Sequence, residues 1–223
     1  KRSNVIQESF FYDKAKNDLR EDYKRHRNCP ICSSGEKNHI FTKDGFQHVL
    51  CLKCDFLYVD PILNDKAMAL HYEQENEWTK VMLNNVEQET NRKMYDYTLN
   101  VLKQFRHDIV SILDVGSGTG TFVKTAAEKG FKVKGLEVNK DMIGRAQEQG
   151  IEMDNVTLSQ LKEANSQFDL VTSWFVLEHV PYPGEFIEKM GEMNTHLMLK
   201  HDRKFNALER DVIEKLEYEG ASI

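Results

Sequence analysis

The sequence predicts an α/β protein, a mostly parallel sheet with helices on both faces, preceded by a small metal-held ribbon and helices. Three observations carry this. From residue 108 onward, short apolar runs alternate with amphipathic stretches, the pattern of parallel strands joined by crossover helices. The turn between the first such strand and the first such helix is rich in glycine, DVGSGTG (114–120). The four cysteines of the chain fall into two C-x2-C pairs, in NCPIC (28–32) and LCLKC (50–54).

Four segments follow in order. Residues 1–28 read as helical and mixed in charge, with YKRHRN (23–28) as a basic, solvated helix end. Residues 29–60 hold Cys29, Cys32, Cys51 and Cys54, with eighteen residues between the pairs. That is the spacing of a four-thiolate metal site. Each C-x2-C turn sets two thiolates on one ion, and two turns close a tetrahedral shell suited to structural Zn²⁺, with iron as the other candidate. Strands over NHIFTKDG and FQHVLCLKCDFLYVD, with a turn at Asp44–Gly45, make a ribbon in which His39 and His48 lie on the surface. So small a unit lacks core, and metal binding supplies about 10–16 kcal/mol of folding free energy in such cases. Disulfides, or a redox pair, are disfavoured in a setting where thiols stay reduced.

Residues 61–107 form a helical connector. Pro61 ends the ribbon, and Asn64 is placed to cap a helix over NDKAMALHYEQ. A longer helix spans 86–106, where Met94, Tyr97, Val101 and Phe105 recur at helical spacing beside Thr98 and Leu102 and read as a core stripe. Residues 108–223 are the α/β domain. Strands are expected at DIVSILDV (108–115), FKVKGLEV (131–138), IEM (151–153), FDLVTSWF (168–175) and THLMLK (195–200), with ASI (221–223) as the start of another. Helices fall between them, ending at Gly130 and Gly150, starting after Pro183, and covering FNALERDVIEKLEYEG (205–220); TLSQLKEA (157–164) makes a turn or two.

Charge and hydropathy exclude some functions. A net charge of −6 weighs against a generally basic nucleic-acid surface. No apolar run reaches bilayer length, and the first residues lack the apolar core of a signal peptide. A cytoplasmic setting is expected, with upstream residues removed from a chain that starts at Lys1.

Gly116, Gly118 and Gly120 are spaced G-S-G-T-G, one residue short of the dinucleotide fingerprint, which argues against a nicotinamide cofactor. Asp114 precedes them and suits a cationic ligand better than a pyrophosphate. Glu137 ends the second strand, placed to accept the ribose hydroxyls of an adenosine group. Adenosine, positive charge and no phosphate clamp together describe S-adenosylmethionine.

LDVGSGTG (113–120), GLEVNKDMIGRAQEQG (135–150) and FDLVTSWFVLEHVPYPGEFIEKM (168–190) resemble the class I S-adenosylmethionine-dependent methyltransferases, with their Rossmann-like fold. The upstream CPIC…CLKCDFLYVDP…HYEQ is similar to the zinc-binding module that precedes such domains in the bacterial group containing sugar C-methyltransferases. The resemblance implies that Asp114 and the loop Gly116, Ser117, Gly118, Thr119 and Gly120 line the methionine end and ribose. It places Glu137 on the ribose hydroxyls, Val138 and Asn139 beside the adenine, Met153, Asp154 and Asn155 flanking the adenine, and Met142 among the cofactor-binding residues. Trp174 and Phe175 would face the cofactor or belong to the core. His179, in the LEHV stretch, would be the base for an oxygen or carbon acceptor, or a structural residue. The expected acceptor is a small molecule or a sugar. Methylation of RNA or protein through the ribbon, or a catalytically inactive cofactor-binding scaffold, are the other readings. The family's domain has seven strands, its last two antiparallel; five are legible here, with no Pro-Gly-Gly turn before the fifth.

Overall fold

A computed structural model describes residues 11–13, 15–16, 18–43, 45–73, 85–161, 167–193 and 197–200. The chain forms two compact units, one of residues 1–74 with 181–184 and the other of 75–180 with 185–223. The expected connector is therefore divided: its first helix belongs to one unit and its second to the other.

The first unit is built from short strands. β1 (Tyr12–Asp13) pairs antiparallel with β2 (Asp18–Leu19). A 3-10 turn (Glu21–Tyr23) leads to β3 (Lys24–Arg25), which pairs with β7 (Ile62–Leu63). The helical reading of 1–28 is thus corrected for the described part of that segment. Strands of two residues are too short to show a period, and here pairing partners rather than local propensity set the conformation. The basic cluster is not a solvated helix end. Lys24 Nζ lies 2.7 Å from Asp18 and 2.8 Å from Glu21, Arg25 lies 2.9 Å from Asp65, and Arg27 Nε donates to the Val59 carbonyl.

β4 (Lys37–Lys43), β5 (Phe46–Cys51) and β6 (Leu57–Val59) form the antiparallel ribbon sheet, as the spacing predicts. Its core is small: Cys29, Val49, Cys51 and Tyr58, with Ile31 and Phe56 against them. Asp60, only 4% exposed, ties the ribbon to the chain before it. Its carboxylate accepts from Lys37 Nζ at 2.6 Å and from the Arg27 amide at 2.8 Å. α1 (Asp65–Glu73) starts where Asn64 predicts, with Asn64 Oδ1 accepting from the Ala67 amide at 3.0 Å.

The second unit opens with α2 (Asn85–Phe105), followed by β8 (Ser111–Val115), α3 (Thr121–Glu128), β9 (Lys132–Leu136), α4 (Lys140–Glu148), β10 (Leu170–Trp174), α5 (Pro183–Glu192) and β11 (Leu197–Lys200). All described strand pairs are parallel, in the order β11-β10-β8-β9. Side chains of β8 alternate between two cores. Ile112 packs with Tyr95, Leu99, Leu102 and Phe122 on one face, and Leu113 and Val115 pack with Val171 and Met190 on the other. Both faces are therefore covered, as a parallel sheet requires.

Two expectations change. The strand at 151–153 reduces to a single parallel bridge between Leu136 and Asp154. The buried stripe of α2 is Tyr95, Leu99 and Leu102, not Tyr97, Val101 and Phe105, which are exposed. The helix carries apolar residues on both sides, so periodicity alone could not tell which side meets the sheet. The expected helix at 205–220 and strand at 221–223 lie outside the described residues.

Leu99 is 1% exposed and Tyr97 is 72% exposed. Leu99→Ala is expected to lower unfolding free energy by about 2–5 kcal/mol, while Tyr97→Ser changes it by no more than about 0.5 kcal/mol. Urea denaturation of the two variants checks the assignment of the buried face.

Candidate active site

The sheet order sets the place of the site. The chain leaves β8 to one side for β9 and later returns to the other side for β10, so β8 and β10 flank a topological switch point. Open α/β sheets bind ligands outside the carboxyl ends of the strands at such a point.

Asp114 sits there, 1% exposed, near the end of β8. Its Oδ1 accepts from Thr172 Oγ1 at 2.7 Å, and Thr172 is its register partner in β10. Burial raises the carboxyl pKa to about 7, the Thr172 and Ser117 hydrogen bonds oppose the rise, and the Glu137 charge adds to it. Thr172 was not among the expected site residues; its signal is a hydroxyl residue, next to Ser173, inside the buried strand LVTSW.

The glycine loop hangs from β9. The amides of Gly116 and Ser117 both donate to the Leu136 carbonyl at 2.9 Å. Gly116 has φ +77°, and a Cβ there would lie 2.3 Å from Val176 Cγ2, so only glycine brings the loop this close to the turn after β10. Gly118 has φ +55° and nothing within 4 Å of where a Cβ would stand. That is open space above the loop backbone. Gly120 caps α3, and Thr119 and Thr121 share a hydroxyl contact of 2.9 Å.

Glu137 binds the loop and the following turn together. Its Oε2 accepts from the Gly118 amide at 2.8 Å, and its Oε1 from the amides of Val138 and Asn139 at 2.7 and 2.9 Å. Asn155, expected beside the adenine together with Met153 and Asp154, donates from Nδ2 to the carbonyls of Glu137 and Val138. The side chain of Asn139 accepts from the amides of Asp141 and Met142, so it is the N-cap of α4. Val138 is exposed, and Met142 and Met153 are buried. Asp154 pairs with Lys134 at 3.1 Å.

Trp174 is buried in an aromatic cluster with Tyr95 and Phe122, the core placement that its resemblance-based role left open. Phe175 takes φ +59°, a left-handed backbone that a bulky residue adopts only where its surroundings impose it. His179 is exposed in a 3-10 turn (Leu177–His179) just after β10.

The first unit holds the second cluster. The four Sγ atoms of Cys29, Cys32, Cys51 and Cys54 lie within 4.8 Å of one another. The two knuckles repeat one geometry, with Ser33 N donating to Cys29 O and Asp55 N to Cys51 O, and both Ser33 and Asp55 at positive φ. Burial opposes ionisation of Cys51, yet the amides of Lys53 and Cys54 and the neighbouring thiols bring its pKa down to about 7.

A family model described as a methyltransferase domain matches residues 70–209, well over half of the chain. The chain belongs to the methyltransferase-domain family. Curated relatives of this methyltransferase domain include the ubiquinone biosynthesis O-methyltransferases of Nitrosococcus oceani, 34% identical over 89 residues, and of Aeromonas salmonicida, 32% identical over 89 residues. Each alignment covers 37% of this chain, and 38% and 37% of the two relatives, so the chain spans well under half the length of the relatives it matches. Magnesium protoporphyrin IX methyltransferase from Synechocystis PCC 6803, solved with bound S-adenosylmethionine, shares the fold. Its TM-score is 0.53 at 19% identity, over 69% of this chain and 86% of that one.

Asp114 yields a stability prediction. Its folded pKa of about 7 stands above the ordinary 3.8, so the folded protein holds this proton more tightly than the unfolded chain. That contribution is complete below about pH 4 and is lost as pH rises through about 7. Relative to Asp114→Asn, the wild type should therefore lose stability between pH 5 and pH 8 in urea titrations. An unchanged gap would show that Asp114 is already ionised at pH 5.

Proposed function

We propose that this methyltransferase domain binds S-adenosylmethionine at the β8–β10 switch point and transfers its methyl group to a small-molecule acceptor. One observation carries the reading. Glu137 holds the amide of Gly118, above which the space is open, Asp114 lies buried at the start of the same loop, and the segments 114–120 and 137–139 contain no lysine or arginine. Such a loop suits a cationic adenosyl ligand and repels a pyrophosphate.

When bound, S-adenosylmethionine supplies an activated sulfonium methyl. The work left to the chain is alignment and exclusion of water. Glu137 would accept ribose hydroxyls with the lone pairs that the three backbone amides leave open. Asp114 would face the positively charged end, and a cation there would favour its ionised form. Asp154, Val138 and the buried Met153 would border the adenine. His179, exposed after β10, would take the proton of a hydroxyl acceptor. The quinone-pathway relatives are named as O-methyltransferases, and the resemblance of the N-terminal module is to sugar-modifying enzymes. Both favour a small hydroxylated acceptor over a macromolecule, and Lys24, Arg25 and Arg27 are each engaged by an acid or a carbonyl of the first unit. No described helix is long and apolar enough to cross a membrane.

We further propose that Cys29, Cys32, Cys51 and Cys54 hold a structural Zn²⁺. Sγ separations of 3.5 Å (Cys32–Cys51) and 3.6 Å (Cys29–Cys54) are close to the edge of a tetrahedron with Zn–S bonds of about 2.3 Å, roughly 3.8 Å. The ribbon's small core makes the metal a folding element.

Two measurements test these readings. In calorimetry, the protein should bind S-adenosylhomocysteine, and Glu137→Ala should weaken that binding at least about tenfold. Equal affinity of the variant would remove Glu137 from the site. Metal assay should find one zinc per chain, lost in Cys51→Ser together with protease resistance of the ribbon; a metal-free wild type with an intact ribbon would refute the zinc site.

A further inference from the structure

The chain between β10 and α5 ends in the run Val180, Pro181, Tyr182, Pro183, in which two of four residues have no amide to donate. Each proline also keeps the residue before it out of helical backbone. Such a run cannot close on itself as a helical turn, so its carbonyls need donors from elsewhere. Residues 181–184 belong to the first unit, and there the donor is Arg27. Nη1 of Arg27 donates to the Pro181 carbonyl, while Nε donates to the Val59 carbonyl at 3.0 Å. The guanidinium lies 5.6 Å from the centre of the Tyr58 ring. The backbone of Arg27 is held too. Its amide donates to Asp60 Oδ1 at 2.8 Å, and its carbonyl accepts from Lys37 Nζ at 3.1 Å. Burial lowers the Arg27 pKa and the Asp60 charge opposes the fall, so this cation depends on its bonded N–H groups. Beside it, Arg25 pairs with Asp65 and lies 5.6 Å from the centre of the Tyr182 ring.

The other end of the same stretch is fixed in the second unit. Val176 covers Gly116, and the 3-10 turn Leu177–His179 follows at once, closed by the His179 amide on the Val176 carbonyl at 2.8 Å. His179 is therefore exposed between two anchored points, Val176 and Pro181. We propose that Arg27 is a positioning residue for the acceptor side of the site, its guanidinium fork spanning the Val59 and Pro181 carbonyls and so fixing the turn that carries His179. The ribbon then acts on the reaction through the backbone that bears the proton acceptor. This role rests on the reading of His179 as that acceptor; the grip on the turn does not.

The test is amide hydrogen exchange on the wild type, Arg27→Met and Arg27→Lys. Methionine keeps an apolar stem and loses both donors. Lysine keeps the charge but lacks the planar fork that spans two carbonyls. Both variants should exchange the amides of the turn, His179 and Val180, at least about tenfold faster than the wild type. The amides of the ribbon strand β5 should keep their wild-type rates. Unchanged exchange of the turn in Arg27→Met overturns the proposal. So does equal acceleration in β5 and the turn, which is a loss of the unit's fold. Full protection of the turn in Arg27→Lys overturns it as well, because charge alone then suffices. Calorimetry on the same samples should give all three proteins one affinity for S-adenosylhomocysteine, which on the proposed reading is held by segments 114–120 and 137–139. Weaker binding by the variants would put the turn on the cofactor side and overturn the acceptor-side role. A wild type that binds no S-adenosylhomocysteine refutes the cofactor reading, while the exchange result still decides the grip of Arg27.

Discussion

A carboxyl group buried between two parallel strands organises the second unit. Asp114 and Thr172 are register partners on β8 and β10, and their side chains share a 2.7 Å hydrogen bond in an environment closed to water. An acid in such a place is costly when ionised and unpaired. One hydroxyl satisfies one oxygen, and burial keeps the proton within reach of neutral pH. The strands on either side of the pair lead directly into the loop after β8 and the turn after β10, where Gly116 lies beneath Val176. The acid is thus built into the sheet itself, and the loops that shape the site start from it.

Glu137 plays the complementary part at the end of β9. Three backbone amides converge on its carboxylate, from Gly118 in the loop after β8 and from Val138 and Asn139 in its own turn. Charge-assisted bonds of this kind are about twice as strong as neutral ones. The Gly118 bond, with the amides of Gly116 and Ser117 on the Leu136 carbonyl, holds the glycine loop against β9. Asn155 fastens the same turn from behind, and Asn139 turns its side chain inward to start α4. The turn after β9 is thereby held by contacts within the chain itself, and a preformed turn lowers the ordering cost of binding.

The first unit solves a different problem. Its ribbon buries few apolar side chains, and four sulfur atoms stand where a larger domain would have a core. Asp60 adds a polar anchor, drawing Lys37 and the backbone of Arg27 onto one buried carboxylate. The cations of residues 24–27 are engaged in the same way, each with an acid or a carbonyl of its own unit.

Patterns that repeat within a few residues were readable from the sequence alone. The alternation of strands and helices, the DVGSGTG turn, the paired C-x2-C knuckles, the Asn64 cap and the β4–β5 hairpin each depend on local periodicity or on one residue's backbone preference. So did the two acids of the candidate site, because their spacing from the glycines is set along the chain. What depended on which surfaces meet was decided by the tertiary structure. Tyr95 rather than Tyr97 faces the sheet because α2 is apolar on both sides and only packing against α3 selects one. The strands of residues 12–25 exist through partners five to 39 residues away, and a two-residue strand has no period to reveal it. Thr172 meets Asp114 across 58 positions, and Asn139 caps a helix where its motif suggested a ligand contact. Local preference acts between neighbours in sequence. Burial and hydrogen-bond satisfaction act between neighbours in space, and the sheet is what makes Asp114, Thr172 and Glu137 neighbours.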